Sequence, residues 1–109
     1  MAVAGAQKEI REKALAWEGI EARVQPKHFG ALGLMFQGKE LGHIHGNRLA
    51  DIHFPKMIRD QLVAAGEAVP HHILPHTGWV SLFLREPADV ERAVGLFRKA
   101  YEGVRSPKD

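Results

Sequence analysis

Residues 30–45, GALGLMFQGKELGHIH, contain two alternating runs separated by a short polar turn at residues 37–39. In the first run, every second residue is large and apolar, which is the period of a β-strand whose two faces differ. These apolar residues are Leu32, Leu34 and Phe36. Two runs joined so closely form a β-hairpin. The stretch therefore predicts antiparallel strands at residues 30–37 and 40–45.

Patterns on both sides of the hairpin complete the fold prediction. Residues 20–25 and 78–85 alternate as strands, while helical periodicity marks residues 6–17, 55–65 and 87–103. We interpret residues 47–53 as a loop, and residues 69–75 as either a short strand or an extended loop.

The predicted order of elements is α-β-β-β-α-(β)-β-α, which is typical of the α+β class. The chain is expected to form a single domain over residues 1–109, with loose ends at 1–5 and 105–109. An antiparallel sheet should be flanked by the N- and C-terminal helices. Their predicted contacts with the sheet are Ile10, Trp17, Val90, Val94 and Phe97.

Composition excludes several classes of site and partner. The 109 residues include no cysteine, which excludes disulfides, thiolate metal sites and cysteine nucleophiles. A net charge of +2, with basic and acidic residues interleaved, does not favour nucleic acid as a partner. No apolar run reaches the roughly 20 residues that span a bilayer. The first six residues are apolar and the charges follow them, the reverse of a signal peptide, so we expect a cytoplasmic protein with no membrane partner.

The histidines are concentrated in the middle of the chain. Six of the seven lie within residues 43–76, where even scatter would place about two. His43 and His45 are two apart on a predicted strand and therefore share one face. Arg48 could bind an anion and Trp79 could form a pocket wall, although a loop arginine facing water and a tryptophan in the core are the commoner arrangements. The candidate pocket residues are His43, His45, Arg48, Asp51, His53, His71, His72 and Trp79.

Three interpretations of this cluster stay open: structural histidines, a metal-free polar pocket, and a metal site. A metal site needs three or four oriented ligands, and only His43 and His45 lie on an element that the sequence predicts firmly. We therefore expect no tightly held metal and no other cofactor. The first functional hypothesis is a histidine-lined pocket for a small aromatic or anionic molecule, with acid–base or oxygen chemistry open to it. The second is a non-catalytic interaction module, compatible with a homodimer, whose histidines are structural.

Two segments carry a resemblance to a known family. ELGHIHGNRLADIHFP at residues 40–55, and AAGEAVPHHILPHTGWVSLFLR at residues 64–85, resemble a family of small bacterial proteins that share a domain with fungal luciferases. The likeness covers roughly residues 20–104. The fungal enzymes oxidise a hydroxypyrone with molecular oxygen and no added cofactor. The spacing between the HxH segment and the aspartate differs here, so light emission is not implied. The resemblance points to His43, His45, Asp51, His53, Gly66, and His71 or His72.

Overall fold

Six antiparallel strands form one sheet in the computed structural model, which describes residues 2–105. The order across the sheet is β1-β2-β3-β4-β6-β5, so β3 and β4 are central. The strands are β1 (Ile20–Gln25), β2 (Ala31–Phe36), β3 (Lys39–His45), β4 (Leu49–His53), β5 (Val69–Pro70) and β6 (Trp79–Phe83). The predicted α+β class and the antiparallel sheet are confirmed.

The β2–β3 hairpin is formed as the sequence predicts. Phe36 pairs with Lys39, and both residues of the intervening turn have positive φ, 52° at Gln37 and 80° at Gly38. This two-residue turn matches the right-handed twist of the strands that it joins. The residue at the second position is glycine, which adopts positive φ without steric cost.

Two helices, α1 (Ala6–Leu15) and α3 (Pro87–Arg105), pack together on one face of the sheet. Their buried side chains continue the apolar layer of the strands, and the predicted contacts are confirmed, with Trp17 and Val94 only partly buried. The Tyr101 hydroxyl donates a 2.7 Å hydrogen bond to the carbonyl oxygen of Glu18. The helix-covered face therefore contains the main hydrophobic core.

The helix α2 (Lys56–Ala64) lies against β5 and β6. Its predicted apolar stripe is only partly correct, because Leu62 is buried and Ile58 half-buried while Ala65 is exposed just beyond the end of the helix. The Arg59 guanidinium donates a hydrogen bond to the carbonyl oxygen of Pro75. The helix thereby helps to position the loop that carries His71 and His72.

The predicted loop at residues 47–53 is wrong, because residues 49–53 form the central strand β4. An aspartate within a short apolar run is unfavourable for a strand by propensity alone, and the glycine and asparagine before it indicate a turn. Tertiary context outweighs that preference. Ala50 and Ile52 face the core, and Asp51 finds hydrogen-bonding partners on the opposite face.

A β-bulge in β3 changes which residues share a face. Leu34 pairs with Gly42 but Met35 pairs with Glu40, so Leu41 is an extra residue between them. Residues three apart on a regular strand point to opposite faces. The bulge removes one step of the alternation, so that Glu40 reaches the face of His43 while Leu41 enters the core.

Gly42 provides a stability test of the central strand pair. A Cβ at residue 42 would overlap the carbonyl oxygen of Asp51 and lie 2.9 Å from both the Ile52 Cα and the Phe97 ring. We expect Gly42→Ala to lower the free energy of unfolding by about 1–3 kcal/mol, measured by urea denaturation. The control is Gly95→Ala on the exposed side of α3, where a Cβ meets nothing within 4 Å. It should raise stability by up to about 1 kcal/mol. Equal effects of the two substitutions would contradict this packing.

Near the N-terminus, the Val3 amide donates a 3.0 Å hydrogen bond to the Asn47 carbonyl, and the Val3 side chain packs against the core. Met1 and residues 106–109 lie outside the described residues, so the predicted loose ends stay a prediction. Within residues 2–105, no helix is long and apolar enough to cross a membrane.

Candidate functional site

The face of the sheet opposite α1 and α3 carries a row of polar side chains. In the strand register His43 of β3 lies beside Asp51 of β4, which lies beside Ser81 of β6. His45 is two residues further along β3 and therefore on the same face. Asp51 and Ser81 have no exposed surface, and His43 is buried. These residues form a buried polar row across the two central strands and β6.

Asp51 is the centre of this row. Its Oδ1 accepts a 2.6 Å hydrogen bond from the Ser81 hydroxyl. Its Oδ2 lies 3.1 Å from His45 Nε2 and 3.4 Å from the Nε2 atoms of His43 and His71. Burial alone would raise the pKa of this carboxyl, but hydrogen bonds from His43 and Ser81 outweigh burial and lower the pKa to about 2. Asp51 is therefore a carboxylate at neutral pH, with three imidazoles around one oxygen.

His43 bridges two carboxylates. Its Nδ1 lies 2.8 Å from Glu40 Oε2, on the residue that the bulge turns to this face, and its Nε2 lies 3.4 Å from Asp51 Oδ2. Burial disfavours the imidazolium, but the hydrogen bonds with Asp51 and Glu40 outweigh burial and raise the pKa of His43 to about 9. His43 is therefore protonated at neutral pH and places a positive charge between two negative ones.

His71 is held in one tautomer by the backbone. Its Nδ1 accepts hydrogen bonds of 3.1 Å from the amides of both Ile73 and Leu74. A nitrogen that accepts cannot carry the proton, so the neutral ring is protonated on Nε2 and donates toward Asp51. Burial, the largest influence, also lowers the pKa of His71. The loop thus fixes His71 as a neutral donor to the carboxylate.

His45 is the most accessible of the three imidazoles around Asp51, with 25% of its side chain exposed. Burial lowers its pKa, partly offset by the charge of Asp51, so the ring is neutral at pH 7. The His45 ring lies edge-on to the His43 ring, with their centroids 4.9 Å apart. A neutral imidazole held by a carboxylate can accept or donate a proton near neutral pH.

A cavity of about 330 Å³ opens above this row. Its floor consists of His43, His45, Asp51 and His71, and its wall and rim are aromatic and aliphatic: Phe29, Ile73, Leu74 and Trp79, with His72 beside them. Phe29, Ile73 and Leu74 are exposed. A polar floor beneath an apolar rim is the usual arrangement of a small-molecule site.

The structure separates the remaining candidates from this floor. His72 is exposed and stacks on His71, with ring centroids 4.5 Å apart. Arg48 lines two smaller neighbouring cavities, of about 310 and 290 Å³, together with His45. His53 contacts the Trp79 ring, but it lines a second cavity of about 380 Å³ beside α3. Burial, then the charge of Lys39, lowers the pKa of His53.

Sequence reasoning missed several residues of the site. Ser81 shares the face of Trp79 in the predicted strand, so alternation could have found it as a polar residue beside the histidines. Nothing in the sequence indicated Glu40, because regular alternation without the bulge would place Glu40 and His43 on opposite faces of the sheet. Nor was there any indication of Phe29, Ile73 and Leu74, because they lie on loops whose course depends on tertiary contacts.

Two groups of side chains in the described part of the chain could hold a metal ion. One consists of His43, His45 and Asp51, and the other of Asp51, His71 and His72. In each group, one donor atom from every residue lies within 4.8 Å of the others. Both groups share Asp51, so a choice between them depends on which imidazoles can release the Nε2 proton to an incoming ion.

Comparison with known proteins identifies the family. The family model described as the luciferase domain matches residues 38–100, which is more than half of the chain. This match spans β3, β4, α2, β5 and β6 and most of α3, and so includes every residue of the cavity floor. No curated protein and no solved structure matches the chain. The chain belongs to the luciferase domain family.

Proposed function

We propose that the cavity above Asp51 binds a small molecule with an apolar, planar body and a hydroxyl or anionic group. The observation that supports this most directly is the buried carboxylate of Asp51, around which three imidazoles converge at the floor of an open cavity. Burying these polar and charged groups beneath a cavity is unfavourable for folding unless they are fully paired, and such sites are commonly functional. The match to the luciferase domain is consistent with small-molecule binding.

The apolar part of the ligand would contact the aromatic residues of the wall and rim. The centroid of the Trp79 ring lies 5.3 Å from that of the His43 ring and 6.0 Å from that of the His71 ring, so the indole borders the polar floor. Phe29 also lines this cavity and is 99% exposed. Planar ligands stack favourably on such rings. A flat, amphipathic molecule fits this combination better than a sugar or a free phosphate.

The polar end of the ligand would meet groups suited to proton transfer. At neutral pH the floor presents the imidazolium of His43 and the neutral rings of His45 and His71, all held by Asp51. A ligand hydroxyl at this position could exchange a proton with the floor. The proposed chemistry is therefore acid–base chemistry on a hydroxylated aromatic ligand, and oxygen chemistry is a further step that such deprotonation permits.

A thermal-shift screen tests the proposal with a panel of hydroxylated aromatic compounds and aromatic carboxylates. We expect at least one compound to raise the Tm of the wild-type protein. His45→Ala should abolish that shift, because it removes the most accessible polar group of the floor. The matched control is His76→Ala, since His76 is exposed and does not line this cavity. A shift that survives His45→Ala, or that disappears equally in His76→Ala, would place the binding elsewhere.

The alternative is a non-catalytic interaction module with structural histidines. The exposure of Phe29 and Ile73 favours it, because apolar rim residues can also contact a partner protein or a second copy of the chain. Under this alternative, no compound of the panel shifts the Tm, and His45→Ala changes only the stability. If the contact is with a second copy of the chain, light scattering during gel filtration would show the mass of two chains.

A further inference from the structure

We infer that His43, His45 and Asp51 bind one divalent first-row transition-metal ion at the floor of the cavity. The inference deepens the proposed function, on whose site it rests. The sequence indicated no tightly held metal, because only two ligands could be placed together. The strand β4 removes that reason, since it brings Asp51 beside both histidines.

The distances between the donor atoms suit a metal ion. With metal–ligand bonds of about 2.0–2.1 Å, two ligands of a tetrahedral ion lie roughly 3.3–3.4 Å apart. Asp51 Oδ2 lies 3.4 Å from His43 Nε2 and 3.1 Å from His45 Nε2. All three residues come from adjacent central strands, which fix their backbones. The donor atoms of His43 and His45 lie within 4.8 Å of each other, so an ion would draw these two side chains together.

Neighbouring groups already orient two of the three ligands. Glu40 lies 2.8 Å from His43 Nδ1, and a carboxylate on the second nitrogen of a histidine is a usual support for a metal ligand. The ion would displace the Nε2 proton of the His43 imidazolium, while the Nδ1 proton would stay hydrogen-bonded to Glu40. The Ser81 hydroxyl donates a 2.6 Å hydrogen bond to Asp51 Oδ1, which leaves Oδ2 directed at the imidazoles. Two buried or half-buried carboxylates, Glu40 and Asp51, also supply the negative charge that a divalent ion neutralises.

The second group of donors does not fit as well. His71 Nδ1 accepts two backbone hydrogen bonds and cannot carry a proton, so releasing the Nε2 proton to an ion would leave the ring as an unfavourable imidazolate. His72 is exposed at the rim. His71 instead serves as a hydrogen-bond donor to Asp51. The structure thus favours the group of His43 and His45.

An ion in this position would keep open coordination sites. Two imidazoles and one carboxylate leave at least one position for an exogenous ligand, the feature that distinguishes reactive metal sites from structural ones. The same three residues line the cavity, so the exogenous ligand would come from there. An oxygen anion, such as an ionised hydroxyl or a carboxylate on a planar molecule, is the class that this site would take.

Titration with Co²⁺ and Zn²⁺ tests the inference on the full chain, with any histidine tag removed and prior metal stripped by a chelator. We expect about one ion per chain by calorimetry, and visible absorption bands from bound Co²⁺. His45→Ala should remove measurable binding, whereas His72→Ala, which removes a ligand of the second group only, should not. The matched control is His76→Ala, because His76 is exposed and does not line the cavity. Glu40→Gln retains all three ligands and should weaken binding about 10–100-fold. Circular dichroism checks that each variant is folded.

The metal titration and the ligand screen together distinguish failure of the metal site from failure of the proposed function. Absence of ion binding by the wild-type protein overturns the metal site, yet leaves the proposed function standing if the aromatic panel still shifts the Tm in a His45-dependent way. Binding that survives His45→Ala, or that is lost in His72→Ala, overturns the assignment of these ligands. Metal binding without any ligand-induced shift supports the ion and contradicts the proposed small-molecule function.

Discussion

Replacing Asp51 with asparagine is expected to lower the free energy of unfolding by about 3–5 kcal/mol, the usual cost of removing one partner from a buried ion pair. The substitution preserves the size of the side chain but removes the charge that stabilises the His43 imidazolium. It also replaces one of the two acceptor oxygens with an amide donor, so Ser81 and three imidazoles are left with a single acceptor between them. Urea denaturation at pH 7 with a chelator present measures the effect on the metal-free protein.

The matched control for this substitution is Asp60→Asn. Asp60 also forms close ion pairs, 2.7 Å from Arg59 and 3.3 Å from Lys56, but its carboxylate lies on the surface of α2. Exposed pairs contribute little because water screens them. We expect the stability of this variant to match the wild type within error. Similar losses in the two variants would show that Asp51 is not buried in an ion-paired network.

The parts of the fold that the sequence predicts well are those in which one face is apolar. The strands at 30–37 and 78–85 and the terminal helices have clear periodicity, because each of them buries one face against the same core. The strand β4 is buried on both faces, and one of these faces is polar. Its sequence, LADIH, alternates, but an aspartate is indistinguishable from a loop residue until partners on other strands are known.

In the candidate site, too, the sequence predicts local placement but not contacts between distant strands. His43 and His45 could be placed together because strand alternation is local. The convergence of Asp51, Ser81 and His71 depends on pairings between β4, β6 and β5, and Asp51 and Ser81 are 30 residues apart in the chain. Glu40 depends on a single bulge, which composition does not reveal. The clustering of histidines in the sequence indicated the region of the site, whereas the carboxylates and backbone amides that set the charge and tautomer of the rings could be identified only from the tertiary structure.

The free energy of unfolding of the metal-free protein is expected to fall by about 3 kcal/mol between pH 6.5 and 9. The folded protein raises the pKa of His43 from 6.5 to about 9, so in this window the folded state holds a proton that the unfolded state has released. The stabilisation is complete below pH 6.5 and is lost as the pH rises through 9. His45 and His71, whose pKa values are lowered, affect stability below pH 6.5 instead.

His43→Gln should remove this pH dependence, because glutamine retains hydrogen-bonding capacity but does not titrate. The chain has no cysteine, so no thiol titrates within the same window. Urea denaturation at half-unit intervals from pH 6 to 9.5, with a chelator throughout, compares the two proteins. Glu40→Gln provides an intermediate case: one of the two carboxylates remains, so the loss of stability should still begin near pH 6.5 but should be smaller and should be complete at a lower pH. A wild-type profile that is flat across this window would show that Glu40 and Asp51 do not hold His43 in its protonated form. The site would then present three neutral imidazoles around a single carboxylate.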